Sequence, residues 1–187
     1  LIDLYAEVIL NKVVVDGKDR ASYEILPADT FMKYKGYIGG SGNLETQFYM
    51  EMMADKVNDS QIDKIFVPIN QGDHWHLLTV NFDGCTMTHY NSRKNQAKHY
   101  REFLRVAGWM NAYLTLRFDK FEDKEWNRIV EPRFTQVKCK DDDNGLRMLL
   151  AIEALALGHV GYGIDKDLNA AKWSLLDGIR MMATFDD

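Results

Sequence analysis

An Asp83-Gly84 pair between two apolar runs constrains this chain more than any other feature. The upstream run starts at Ile65, reads Ile-Phe-Val-Pro-Ile-Asn, passes Gln71-Gly72-Asp73 and resumes as His74-Trp75-His76-Leu77-Leu78-Thr79-Val80-Asn81-Phe82. The downstream run is Cys85-Thr86-Met87-Thr88-His89-Tyr90-Asn91-Ser92. Apolar segments flanking Asp-Gly are among the strongest short hairpin signals. Closing the hairpin there sets the far ends of its strands side by side and brings His74 towards Asn91. A base and a short amide able to orient it are then neighbours, as hydrolytic triads need. Taken singly, His74 and Trp75 read as ordinary strand residues, and His76 and His89 as structural or surface groups.

The chain has 187 residues, 46 % of them apolar, enough for one domain with a real core over 1–187. A net charge of −5 argues against general nucleic-acid binding. No apolar run reaches the roughly 20 residues that a transmembrane helix needs, so no membrane partner is expected. The chain starts at Leu1 without a signal peptide and reads as a truncated or processed piece of something longer. Cys85 and Cys139 are too few for a disulfide framework, which suits a reducing compartment, nucleus or cytoplasm. The five histidines look scattered and form no zinc motif, so neither metal nor cofactor is expected.

Hydrophobic periodicity outlines the remaining elements. Leu1, Leu4, Tyr5, Val8 and Ile9 have helical spacing. Segment 20–26 is strand or loop and stops at Pro27. Gly39-Gly40-Ser41-Gly42 lacks the Lys-Ser/Thr of a P-loop and reads as a flexible loop. Segment 44–57 is a helix with its methionines as core filler. Segment 95–107 is a helix with Tyr100, Phe103, Leu104 and Ala107 on one face and Lys98, Arg101 and Arg105 on the other. Segment 109–117 is a further helix or strand. Ile129-Val130 and 134–137 are short strand pieces. Segment 146–157 is a strongly apolar helix, with Asn144 at the N-cap position and Asp141, Asp142 and Asp143 near its positive end. Gly158 ends it. A last helix over 165–184 turns Leu168, Ala171, Leu175, Ile179 and Met182 inward. Helices at both ends of a short central sheet indicate an α+β fold.

Read in order, these motifs resemble the ubiquitin-like-protein protease family, the SUMO-specific cysteine peptidases and their relatives. The family pattern is a Val-Pro-Ile-Asn strand, His-Trp, a strand ending Tyr-Asp-Ser, a later Gln, then Asp-Cys-Gly opening a buried helix. Here Val67-Pro68-Ile69-Asn70, His74-Trp75, Tyr90-Asn91-Ser92, Gln136 and Asp143-Asn144-Gly145 follow in that order. The resemblance implies a papain-like fold, a central mixed or antiparallel sheet flanked by helices. It makes His74 the base, Asn91 its orienting partner and Gln136 the oxyanion donor. Trp75, Asp143 and Gly145 would line the channel for a Gly-Gly tail, and Asn144 takes the nucleophile position.

Two departures govern the functional expectation. Asn91 stands where the family usually has Asp, and an amide can still accept from the base, as in Cys-His-Asn proteases. Asn144 stands where the family has Cys, and an amide offers no ionisable thiol. Gln136 also lies slightly further from that position than the family spacing. The expected function is therefore a catalytically inactive family member that binds a ubiquitin-like protein or another protein partner. An active deSUMOylating isopeptidase whose nucleophile was replaced for structural work is the alternative. A third reading, metal chemistry by His74 with Asp141 to Asp143, lacks a second paired ligand motif. Cys139, between Lys138 and Lys140, is expected in the preceding loop as a surface thiol rather than a substitute nucleophile.

Overall fold

The computed structural model of the chain describes residues 3, 6, 9, 23–29, 62–72, 74–92, 97–117, 124–131, 134, 144–158 and 168–183. Asp3, Ala6 and Ile9 are helical, in line with the spacing at the start of the chain. The expected helix over 44–57, the loop at 39–42, and Gln136, Cys139 and Asp143 lie outside the described residues.

Among the described residues five strands form one sheet in the order β1 (Tyr23–Ile25), β2 (Lys64–Asn70), β3 (Trp75–Asn81), β4 (Thr86–Tyr90) and β5 (Asn127–Val130). The inner pairs β2–β3 and β3–β4 are antiparallel, and the outer pairs β1–β2 and β4–β5 are parallel. Among the described residues the helices with defined ends are α1 (Ala97–Arg117), α2 (Asn144–Leu157) and α3 (Leu168–Ala183). The sheet is mixed and the fold α+β, as expected. None of the described helices is long and apolar enough to cross a membrane.

Side-chain alternation divides the core into two layers. Ile65, Val67 and Ile69 of β2, Leu78 and Val80 of β3 and Met87 of β4 join Phe103, Val106, Ala107, Met110 and Leu114 of α1. Phe66, Leu77 and Tyr90 point the other way and meet Met148, Leu149, Ala151, Ile152 and Ala156 of α2. Burial on both faces explains why β2 and β3 read as near-continuous apolar runs. Leu26 N–H donates to the Phe66 carbonyl at 2.9 Å, so residues two apart from Phe66 face the same edge. Pro68 is one of them. Its missing N–H is the donor that the next bond of the parallel ladder would need, so β1–β2 pairing ends at this step.

Three expectations change in detail. The β3–β4 connection is a four-residue turn, Phe82 to Cys85, and its left-handed residue is Cys85, φ 45°, not Gly84. Cys85 N–H reaches the Phe82 carbonyl at 3.3 Å, which closes the turn. Segments 95–107 and 109–117 are one helix, α1, running through Gly108. Its buried stripe is His99, Glu102, Phe103, Val106, Ala107, Met110 and Leu114, while Tyr100 is 43 % exposed. A β-sheet underneath selects this stripe, and a helix read in isolation leaves its rotation open by a residue. Lys98, Arg101 and Arg105 do face solvent. Gly158 takes φ 74° just after α2, the left-handed stop that glycine accepts without strain. The inward set named for the last helix lies outside the described side chains.

Candidate active site

The β2–β3 connection sets the position of His74. Gln71 N–H donates to the His74 carbonyl at 2.8 Å, and Gly72 between them takes φ 70°. Glycine adopts this left-handed conformation freely, so the chain reverses within four residues and β3 starts directly after His74. The β3–β4 register pairs Leu77 with Tyr90, which carries Asn91 alongside the start of β3. His74 and Asn91 meet there: His74 Nε2 lies 2.7 Å from Asn91 Oδ1, and both are buried. A carbonyl oxygen only accepts, so Nε2 carries the proton and donates. In the neutral ring Nδ1 then holds the lone pair, the tautomer a base at this position needs.

Asn144 reaches the same corner from the other layer. It is the first residue of α2, is buried, and its Oδ1 accepts from Trp75 N–H at 3.2 Å. The reason lies in strand length. His74 points its carbonyl at β2, so Trp75 points its N–H towards β4, but β4 pairing stops at Tyr90. Asn144 satisfies a ladder donor that has run past its partner strand. Gly145 follows, and a Cβ there would lie 3.1 Å from Trp75 Cδ1 and 3.5 Å from Nε1. The indole therefore packs close on the helix start, and any side chain at 145 would need it to give by a few tenths of an ångström. Gly145→Leu is expected to displace the indole and to cost about 1–3 kcal/mol through overpacking. A thermal melt of the variant checks it; an unchanged midpoint would mean the indole yields freely.

The histidines correct the reading that they are scattered. His74, His76, His89 and His99 all converge, each no more than 2 % exposed. Asn91 Nδ2 lies 3.1 Å from His99 Nδ1, and His76 Nδ1 lies 2.8 Å from His89 Nε2. His99 stacks on His74 at 4.6 Å between ring centres and on His76 at 5.4 Å. His89 lies parallel to Phe103 at 4.7 Å. Burial pushes His76 well below the ordinary imidazole range, helped by His89, His99 and His74. Burial likewise brings His89 down to about 3, with His99 and His74 adding to it. Both rings are held neutral. Among the described residues no group of three or more His, Cys, Asp or Glu is arranged to hold a metal ion. The missed signal was periodicity. His74, just before β3, and His76 are two apart, as are His89 and Asn91, just after β4, so all four face α1. His99 shares the α1 stripe of Phe103 and completes the group.

The structure thus brings His74, Asn91, Trp75, Asn144 and Gly145 to one corner, where β3 begins, α2 begins and β4 ends. Cys85 lies in the β3–β4 turn at the opposite end of those strands, with Sγ 3.6 Å from the Phe82 carbonyl.

This fold, with a buried His-Asn pair beside a helix start, is that of papain-like cysteine peptidases. The model of the Ulp1 protease family, C-terminal catalytic domain, matches residues 42–173, and the chain belongs to that family. A solved de-sumoylating protease superposes with a TM-score of 0.67 at 12 % identity, covering 96 % of this chain and 72 % of that one. SUMO protease Ulp1, with its catalytic cysteine oxidised to a sulfonic acid, gives a TM-score of 0.63 at 14 % identity, covering 95 % and 75 %. The Ulp1 protease domain bound to Smt3, the yeast ortholog of SUMO, gives 0.57 at 15 % identity, covering 88 % and 69 %. At these identities the superpositions speak for the fold. No curated protein sequence matches the chain.

Proposed function

We propose that this chain is a Ulp1-family domain that has kept a substrate groove and lost its nucleophile, and that it binds a ubiquitin-like protein without cleaving it. The observation that carries this is Asn144. It opens α2 beside the His74–Asn91 pair, with its amide oxygen on Trp75 N–H. A thiol at that place would pass its proton to His74, and the thiolate would attack the carbonyl carbon of a Gly-Gly tail. An amide has neither an acidic proton to give nor a nucleophilic pair of comparable strength. His74 still has the tautomer for the task, and the helix N-terminus of α2 would favour a thiolate. The structure of a relative bound to Smt3 supports a ubiquitin-like partner.

The test is hydrolysis of a panel of fluorogenic ubiquitin-like substrates by the chain and by Asn144→Cys, with binding of the same proteins measured by calorimetry. The chain is expected to be silent, to bind at least one of them, and to gain turnover as Asn144→Cys. Turnover by the unsubstituted chain would overturn the proposal. Silence of folded Asn144→Cys together with no binding would move the function to another surface.

A further inference from the structure

The amide of Asn91 has a direction, and His99 reads it. Its oxygen can only accept and its nitrogen can only donate. The oxygen faces His74 Nε2 at 2.7 Å, and the nitrogen faces His99 Nδ1 at 3.1 Å. The second bond requires a lone pair on His99 Nδ1, so His99 is neutral with its proton on Nε2. If the amide turned over, its N–H groups would face His74 Nε2. The His74 proton would then have to sit on Nδ1, the nitrogen that must stay unprotonated for His74 to act as a base. A carboxylate at position 91 makes no such demand, because both of its oxygens accept. An amide needs a neighbour that accepts on one side only.

We propose that His99 is a positioning residue for His74: by accepting from Asn91 it fixes the direction of that amide and so the tautomer of His74. The packing holds His99 to this role. It lies in the first turn of α1, 2 % exposed, stacked on the rings of His74 and His76. One turn further along α1, Phe103 stacks on His89 and keeps the helix from rotating over the sheet. The His74–Asn91–His99 chain thereby crosses from β3 through the end of β4 into α1, and joins three elements through one amide.

This inference rests on His74 occupying the base position, yet its test uses neither hydrolysis nor a partner, so the two can fail separately. In the unsubstituted chain labelled with 15N, long-range proton–nitrogen NMR of the rings reports each tautomer. A scalar coupling across an N–H···N bond reports the Asn91–His99 contact directly. The expected result is one tautomer of His74, protonated on Nε2, together with that coupling. His99→Phe keeps a stacking ring and removes the acceptor, and it is expected to give a mixture of His74 tautomers. His99→Asn restores an acceptor oxygen near the place of Nδ1 and is expected to return the single tautomer. A proton on His99 Nδ1 in the unsubstituted chain would overturn the proposal, whether or not the variants fold. So would a folded His99→Phe whose His74 spectrum is unchanged.

Discussion

At pH 4.5 the folded state is expected to be less stable than at pH 7.5 by about 3 kcal/mol through His89, with a further loss through His76. In the unfolded chain each imidazole takes up a proton near its ordinary pKa of 6.5. In the folded protein His89 does so only near 3, and His76 only well below the ordinary range. Between those limits the unfolded chain binds more protons, so stability falls as pH falls. The loss runs at about 1.4 kcal/mol per pH unit for each ring, and the full contribution is present above pH 6.5. The groups facing these rings from β3, β4 and α1 are His74, His99 and the neutral amide of Asn91, none of them an anion. Glu102, the buried carboxylate of α1, is engaged by Arg105 at 3.3 Å. A loss of this size is a large part of the 5–15 kcal/mol typical of a domain. Urea midpoints at the two pH values measure it. His89→Leu removes one of the two titrating rings and should remove about 3 kcal/mol of the loss. Equal midpoints for the unsubstituted chain would show that the cluster takes up protons without opening.

Asn91→Leu is expected to be the most damaging single change at the site. Leucine shares the branched skeleton of asparagine, though it is bulkier, and offers neither donor nor acceptor. His74 Nε2–H and His99 Nδ1 would both lose the bond they now make, in a place closed to water. Leaving buried polar groups without these partners costs about 1–3 kcal/mol each, so about 2–6 kcal/mol in all. For a chain of this size that is a fall in Tm on the order of 10 °C. Asn91→Asp should lose much less, because a carboxylate accepts from His74 and, once His99 shifts its proton to Nδ1, from His99 as well. Thermal melts of the two variants at neutral pH check this. A leucine variant as stable as the aspartate variant would mean the amide carries little of the local stability.

The two halves of the site differ in how they could be read. The His74–Asn91 meeting was legible from the apolar runs about Asp83-Gly84, because a hairpin closed there has only one way to align its far ends. The helix beginning at Asn144 was legible too, from an apolar run that follows a cluster of aspartates. What the hairpin signal could not convey was the size of the turn. The four residues from Phe82 to Cys85 close on a left-handed Cys85, an arrangement that propensity disfavours and that the β3–β4 register imposes. Nor could periodicity settle the rotation of α1. Tyr100 and Phe103 are both large and apolar enough to face a core, and only the sheet beneath α1 chooses Phe103.

By itself, then, the sequence determined the apolar runs that become β2, β3, β4 and α2, the place of the turn at Asp83-Gly84, and the identity of each residue at the corner between β3 and α2. These are local properties of period and turn chemistry. The tertiary structure alone decided that four histidines spread over 26 positions of chain become one buried cluster, and that His99 stands behind Asn91. The physical reason is that burial and hydrogen-bond direction belong to pairs of elements. An imidazole in a strand is ordinary until a helix removes its water and a second imidazole takes the place of that water as its partner.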